Sequence, residues 1–306
     1  MKPDLVAGVK LLLLNRFPEL EYLDISWFGG EPLIASDIVY DIMTHVRDLR
    51  ESASHVAVSS DMTTNGYLLA PAAARRLLSL GVTRFQISLD GSAATHDPVR
   101  KRADGSGTFA TIWTNLLHLG ALEEPYEVVI RIHASPSNEA SIRELLLACR
   151  DAFGGDPRFR FLIRPVAKLG GPNDREFRVL SPADAARVMK SLAGYARRLG
   201  LETQAPSQPI CYAARPNSWI IRSDGALGKC TVALSDDRNR VGRLLPDGTL
   251  RIRGPKVAPW IRGMATGSPA ELACPLEGLA PTAAPEYASR IQEPAGKLVP
   301  VAPAFI

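Results

Sequence analysis

Apolar and polar positions alternate along the first two hundred residues with two different periods. Short runs rich in β-branched and aromatic residues predict strands at 22–27, 55–60, 83–89, 126–133 and 159–165. Longer segments between them have apolar residues three or four positions apart and predict helices at 3–17, 36–50, 71–80, 108–120, 138–152 and 181–199. This order predicts an α/β fold in which helices cover a parallel sheet of five strands.

The pattern changes after about residue 200. The segment ETQAPSQPI at 202–210 is typical of a linker, and the chain from 211 to 280 is rich in Gly, Pro and turn residues. Short strands are predicted around WIIRSDG (219–225) and GRLLPDGTLRI (242–252). We therefore predict a large domain over 1–200, a small domain over 201–280 and a loosely ordered tail over 281–306.

Composition and charge narrow the class of protein. The chain has 306 residues, of which 46% are hydrophobic and 22% charged, and its net charge is +4. These values are ordinary for a globular protein, and because Lys and Arg are scattered we expect neither a nucleic-acid partner nor a membrane surface. Asp4 and Lys10 interrupt the apolar N-terminal stretch, so it is interpreted as a helix of a cytoplasmic protein rather than a signal peptide.

Three strand ends have residues suited to holding an amino-acid moiety: WFGGEPL at 27–33, TTNG at 63–66 and ISLDGSAATHDPVR at 87–100. Ligands of open α/β sheets lie at the carboxyl ends of the strands, so these segments are expected at one edge. Glycines at 29 and 30 permit close approach of the backbone, and the Glu31 carboxylate can accept hydrogen bonds from an ammonium group. Ser88 and Arg100 offer donors for a carboxylate.

In this order and spacing, the three segments resemble the radical S-adenosylmethionine (radical SAM) superfamily, in particular the branch with a C-terminal SPASM domain. That branch includes sulfatase-maturing and peptide-modifying enzymes, and its fold is a partial (β/α)6 TIM barrel followed by a small auxiliary domain. The resemblance implies that Gly29, Gly30 and Glu31 bind the SAM amino group, that Ser88 and Arg100 bind its carboxylate or ribose region, and that Thr64, Asn65 and Gly66 line the same pocket. Arg164 and Pro165 would lie near the adenosine or the substrate.

One expected motif is missing from the sequence. Radical SAM enzymes bind a [4Fe–4S] cluster through a CxxxCxxC loop, and the cysteines at 149, 211, 230 and 274 do not have that spacing. The resemblance places the loop after a first barrel strand, before the GGEP segment, so the fold is expected to lack that strand. Three interpretations stay open: Met1 is an internal methionine of a truncated chain, the gene is decayed, or the protein is a pseudoenzyme without the cluster.

The cysteines of the C-terminal part resemble the first half of a SPASM domain. The resemblance implies that Cys211, Cys230 and Cys274 could hold one auxiliary [4Fe–4S] cluster; the alternative is that they are reduced structural cysteines. Cys149, within an apolar helical segment, is interpreted as a buried small residue.

The function expected from the resemblance is generation of a 5′-deoxyadenosyl radical that modifies a peptide or protein substrate. The implied cofactors are SAM and a [4Fe–4S] cluster, with flavodoxin or ferredoxin as electron donor. The alternative is a non-catalytic peptide-binding scaffold or decayed pseudoenzyme with the same fold. His96 and Asp97 are interpreted as residues that order a loop, and His133 as a structural histidine.

Overall fold

A computed structural model describes residues 1–168, 178–204 and 210–279. The predicted tail at 281–306 and most of the predicted linker lie outside these residues. Within the described residues, no helix is both long and apolar enough to cross a membrane.

Helices and strands alternate through the first two hundred residues, as the sequence predicts. The helices are α1 (Pro3–Arg16), α2 (Ser36–Ser52), α3 (Pro71–Ser79), α4 (Ala93–His96), α5 (Phe109–Gly120), α6 (Glu139–Phe153) and α7 (Pro182–Arg198). The strands are β1 (Tyr22–Trp27), β2 (Ala57–Thr64), β3 (Arg84–Ser88), β4 (Glu127–Ala134) and β5 (Phe159–Pro165). All five predicted strands and all six predicted helices are confirmed, and α4 is an additional short helix.

Strand β2 differs most from its predicted range. It continues to Thr64, whereas the sequence pattern ends it at residue 60, because the polar run DMTT looks like the start of a loop. In the fold, Ser60, Met62 and Thr64 are buried while Asp61 and Thr63 are half-buried, which is the alternation of an ordinary strand. The extension brings the TTNG segment directly to the edge of the sheet.

The five strands form one sheet in the order β1-β2-β3-β4-β5. Strands β2 to β5 pair in parallel, with Ser88 of β3 opposite Arg131 of β4 and His133 of β4 opposite Arg164 of β5. This order follows the sequence, as expected for successive right-handed strand–helix–strand units. The α/β class with a parallel five-stranded sheet is therefore confirmed.

The chain forms two compact units. One contains residues 28–35 and 61–206, here called the barrel unit; the other contains 1–27, 36–60 and 207 onward, here called the flanking unit. The units are sets of residues in mutual contact, and the predicted domain boundaries at 200 and 280 stay predictions.

The outer face of the strands in the barrel unit forms its core. Phe85, Ile87, Val128 and Ile130 have at most 1% of their surface exposed, and Phe159 stacks on Phe153 of α6 with ring centroids 4.1 Å apart. Burying these side chains supplies most of the driving force that holds helices on the sheet.

The opposite face of these strands, here called the inner face, is polar. Because side chains alternate along a strand, the residues between the core positions share this second face. Its polar members are Asp61 and Thr63 of β2, Arg84, Gln86 and Ser88 of β3, Glu127, Arg131 and His133 of β4, and Arg160 and Arg164 of β5; the apolar Val129 and Leu162 also lie on it. A polar inner face is what a ligand-binding barrel needs, whereas a closed TIM barrel fills this space with branched apolar residues.

Part of the predicted linker belongs to the sheet. The Phe161 N–H donates to Glu202 O at 2.9 Å, and the Gln204 N–H donates to Phe161 O at 2.8 Å, so residues 202–204 run parallel beside β5. The turn-rich composition of the following residues hid this short pairing in the sequence.

The flanking unit has an antiparallel sheet of four short strands, in the order β6 (Ile220–Ile221), β7 (Ala226–Gly228), β8 (Gly242–Leu244) and β9 (Leu250–Ile252). Helix α1 packs on it closely: a Cβ at Gly8 would lie 2.6 Å from Leu245 O. Two further helices, α8 (Gly254–Thr266) and α9 (Pro269–Ala273), were not predicted. Pro259 inside α8 gives the segment the appearance of a turn, but the burial of Trp260 to 1% exposure favours the helix in the folded chain.

Candidate functional site

The Glu31 carboxylate joins two of the strand-end segments in the barrel unit. Its Oε1 accepts hydrogen bonds from Thr64 Oγ1 at 2.7 Å and from the Leu33 N–H at 3.0 Å. Its Oε2 accepts one from the Asn65 N–H at 2.7 Å. A carboxylate has about four lone-pair directions, so three protein donors leave one for a ligand. Glu31 thus both fixes the loop after β2 and keeps an acceptor site suited to an ammonium group.

The two glycines before Glu31 leave their backbone open. Gly29 has φ +109°, in the region that favours glycine. No described atom lies within 4 Å of a Cβ built at Gly29 or Gly30. A ligand can therefore approach this backbone closely.

Gly66 is required for packing rather than for access. It has φ +79°, and a Cβ there would lie 2.9 Å from the Ile87 Cγ2. Its carbonyl accepts a hydrogen bond from Asn115 Nδ2 at 2.9 Å. Gly66 therefore shapes the loop that presents Thr64 and Asn65 to Glu31.

Asp90, directly after β3, organises the second cluster of polar residues. Arg100 Nε donates to Asp90 Oδ2 at 2.5 Å, and His133 Nδ1 lies 3.0 Å from Asp90 Oδ1. Burial tends to raise the pKa of Asp90, but the hydrogen bond with His133 and the charge of Arg100 outweigh it and lower the pKa to about 2. The carboxylate thus stays ionised, and it occupies one of the nitrogens of Arg100. Sequence reasoning missed this role because SLDG has the appearance of a plain turn.

Arg131 is a further functional candidate that sequence reasoning missed. It lies opposite Ser88 on the inner face, and its Nε is buried with no hydrogen-bond partner in the described part of the chain. Burial lowers its pKa, and the charges of Arg164 and Arg100 lower it further. The signal in the sequence was an arginine in the middle of an otherwise apolar strand, VVIRIH.

The interpretation of His96 and Asp97 as loop-ordering residues is confirmed. His96 is fully buried, with Nδ1 3.3 Å from the Asp90 N–H and Nε2 3.1 Å from Thr108 Oγ1. Burial lowers the pKa of His96, which favours the neutral ring. Asp97 Oδ1 accepts from the N–H groups of Thr108 and Phe109 at 2.9 and 2.8 Å, where α5 begins.

In the flanking unit, hydrogen bonds bring the chain around three cysteines together. The Cys211 N–H donates to Leu272 O at 2.8 Å, which ties it to α9 and the nearby Cys274. The Tyr212 hydroxyl accepts from the Thr231 N–H at 2.8 Å, next to Cys230. Burial raises the pKa of the Cys211 thiol, and the nearby Cys230 and Cys274 thiols raise it further.

The loop at Cys230 is itself held by one buried amide. Asn239 Oδ1 accepts from the N–H groups of Lys229 and Cys230 at 2.7 and 2.9 Å, and its Nδ2 donates to Cys230 O and Ala233 O. No disulfide joins these three cysteines, and no group of three His, Cys, Asp or Glu in the described ranges has the geometry for a single metal ion. A [4Fe–4S] cluster bonds each cysteine to a different iron, so it needs thiols that are farther apart than those of a mononuclear site.

Comparison with known proteins gives a family for one segment of the chain. The model of the Radical SAM superfamily matches residues 11–149. This segment belongs to the radical SAM superfamily. The matched range contains all three strand-end segments and both polar clusters of the barrel unit.

Similar proteins agree with this assignment. The AdoMet-dependent heme synthase of Nitratidesulfovibrio vulgaris is 25% identical over 202 residues, which are 65% of this chain. The chain spans about half the length of that relative, since the match covers 50% of it.

Two solved structures share the fold. One is native anSMEcpe with bound AdoMet and the Kp18Cys peptide. The match covers 84% of this chain and 72% of the anSMEcpe chain, with a TM-score of 0.58 and 14% identity. The other is SuiB of Streptococcus suis bound to the precursor peptide SuiA. This match covers 76% of this chain and 54% of the SuiB chain, with a TM-score of 0.54 and 15% identity. At these identities the likeness shows the partial TIM-barrel fold.

The residues fit the two cofactors of the superfamily unequally. Glu31 and the open Gly29–Gly30 backbone have the acceptor and the access that the ammonium group of SAM needs. The radical SAM cluster does not fit, because the sequence has no CxxxCxxC and Cys149, the cysteine nearest these residues in sequence, is fully buried in α6. Burial raises the pKa of that thiol, as the interpretation of a buried small residue requires.

Proposed function

We propose that this chain binds SAM at the carboxyl edge of its parallel sheet and presents it to a peptide or protein substrate, as part of a radical SAM enzyme of the SPASM type. The observation that carries the proposal is the Glu31 carboxylate, fixed by three donors and left with one acceptor direction beside an open glycine backbone. Ser88, at the end of the neighbouring strand β3, is the proposed donor to the carboxylate of the same amino acid.

The peptide substrate is supported by the polar inner face and by the fold. The solved structures of anSMEcpe and SuiB contain peptides, Kp18Cys in one and SuiA in the other. An inner face lined with arginine, histidine, serine and glutamine side chains suits the amide and charged groups of a peptide better than an apolar ligand.

Radical generation needs a [4Fe–4S] cluster, which supplies the electron that cleaves SAM. The residues of this chain do not fit its ligand set, so we assign SAM and substrate binding to the chain. We assign cleavage to a form that also has a CxxxCxxC segment and an electron donor such as flavodoxin or ferredoxin. Cys211, Cys230 and Cys274 are the proposed ligands of an auxiliary cluster in the flanking unit.

The experiment begins with calorimetric titration of SAM into the chain. We expect binding that Glu31→Ala weakens at least about tenfold, because the ammonium acceptor and the anchor of the β2 loop are removed together. Glu123→Ala, which removes an exposed glutamate of the same unit, is the matched control. Absence of SAM binding in the native chain would refute the proposal.

A second experiment separates enzyme from scaffold. The chain and a form extended with a CxxxCxxC segment are reconstituted anaerobically with iron and sulfide, and 5′-deoxyadenosine is measured after reduction. Product from the extended form alone supports the enzyme. If both forms bind SAM and neither yields product, the non-catalytic binding scaffold is favoured.

A further inference from the structure

We propose that Arg131 and Arg164 form a carboxylate-binding subsite on the inner face of the barrel unit, and that the carboxylate they bind belongs to the peptide substrate. The peptide origin of the carboxylate rests on the proposed function. The subsite itself rests on the burial, charge and position of the two arginines.

One hydrogen-bond donor of Arg131 is shielded from solvent and lacks an acceptor among the described residues. Its Nε is buried and has no hydrogen-bond partner within the described ranges. A buried donor without a partner costs about 1–3 kcal/mol, and more when the group is charged. Such a cost is offset if a ligand supplies the acceptor.

The inner face near Arg131 has more positive than negative charge. The guanidinium groups of Arg164 and Arg100 act on Arg131 together with one carboxylate, that of Asp90. Asp90 is already bonded to Arg100 through one oxygen and to His133 through the other. Its charge therefore balances Arg100, and in the part of the chain that the structure describes neither Arg131 nor Arg164 forms an ion pair with a carboxylate.

The positions of the two arginines suit one carboxylate. They lie on the neighbouring parallel strands β4 and β5: Arg131 is opposite Leu162, and Arg164 is two residues further along β5. Both are beside His133, which pairs in register with Arg164. Two guanidinium forks at this spacing can share the oxygens of one carboxylate, and arginine is the side chain best shaped for that pairing.

Distance separates this subsite from the amino-acid end of SAM. The ammonium acceptor, Glu31, is bonded to the loop that follows β2. Neighbouring strands are about 4.8 Å apart, so β5 is three strand spacings, about 14 Å, from β2 along the sheet. The ammonium and carboxylate of SAM are attached to the same carbon, so a SAM held at Glu31 reaches Ser88 on β3 but not Arg164 on β5. A SAM carboxylate at Ser88 is beside Arg131 alone, so we assign an anion shared by Arg131 and Arg164 to a second molecule.

The test uses two tripeptides in the presence of saturating SAM, acetyl-Gly-Glu-Gly-amide and its Gln counterpart. We follow the side-chain Nε–H resonance of Arg131 by NMR and measure affinity by titration. The Glu peptide is expected to shift that resonance and to bind about tenfold more weakly to Arg131→Gln and to Arg164→Gln. Arg75→Gln, on the exposed surface of α3, is the matched control and should leave binding unchanged.

Several results would overturn the inference. Equal binding of the Glu and Gln peptides would exclude a carboxylate subsite. A second result would be a shift of the Arg131 resonance with SAM, but not with decarboxylated SAM or with the Glu peptide. In that case the bound carboxylate is that of SAM, and the assignment to the peptide is wrong. If Arg131→Gln fails to fold, Arg164→Gln tests the same subsite, since Arg164 is exposed at the end of its strand.

The outcome also separates this inference from the proposed function. Binding of the Glu peptide by a chain that takes up no SAM would retain the subsite and refute the SAM site. SAM binding that depends on Glu31, without discrimination between the two peptides, would retain the SAM site and refute the carboxylate subsite.

Discussion

The Glu31→Gln substitution tests how the loop after β2 is held. The carboxylate accepts two hydrogen bonds at Oε1, from Thr64 Oγ1 and the Leu33 N–H, and one at Oε2, from the Asn65 N–H. Glutamine keeps one acceptor oxygen and replaces the other with an amino group. The orientation that retains two bonds places the amino group against the Asn65 N–H, where two donors repel.

The magnitude follows from the loss of one bond to a charged acceptor. Such bonds contribute about 1.5–3 kcal/mol, and because Asn65 is exposed, water compensates in part and the lower value applies. About 1.4 kcal/mol corresponds to a tenfold change in an opening equilibrium. The Asn65 amide should therefore exchange with solvent about ten times faster in Glu31→Gln, whereas the Leu33 amide should keep its rate.

Amide hydrogen exchange followed by NMR measures both rates in one sample. Glu31→Ala should accelerate both amides, since it removes both acceptor oxygens, and Glu123→Gln should change neither. An unchanged Asn65 rate in Glu31→Gln, or equal acceleration of Asn65 and Leu33, would contradict the reasoning.

Three further predictions concern acid stability, packing and the cysteines. The pKa of Asp90 is lowered from 3.8 to about 2 in the folded protein. Its contribution of about 2 kcal/mol to the free energy of unfolding should therefore be complete above about pH 5 and be lost as the pH falls through about 2. This loss, measured by urea unfolding, should be absent in Asp90→Asn. Gly66→Ala should destabilise the fold by about 1–3 kcal/mol more than Gly81→Ala. Both glycines have positive φ, but a Cβ at Gly66 would lie 2.9 Å from Ile87, whereas a Cβ at Gly81 would have no described atom within 4 Å. Equal thermal stabilities of the two variants would refute this reasoning. After anaerobic reconstitution, Cys211→Ala, Cys230→Ala and Cys274→Ala should each lose the iron bound by the flanking unit and its absorbance near 400 nm, whereas Cys149→Ala should retain both; retention in all four would exclude these ligands.

The local pattern of the sequence determined most of the barrel unit's architecture. The period-two runs and the three-to-four spacing located every strand and the six longer helices before residue 200, because each strand must bury one face and each helix one stripe. The three strand-end segments, in their order and spacing, also gave the resemblance to the superfamily.

Tertiary structure alone decided which side chains meet. Glu31 and Thr64 are 33 residues apart, and the hydrogen bond between them exists only because β1 and β2 end at the same edge of the sheet. The pairing of Asp90 with His133 likewise depends on the register of β3 with β4, which the sequence does not state. The role proposed for Arg131 arises in the same way. An arginine in an apolar strand can bind an anion only if its neighbours leave it available, and the register of the folded sheet determines those neighbours.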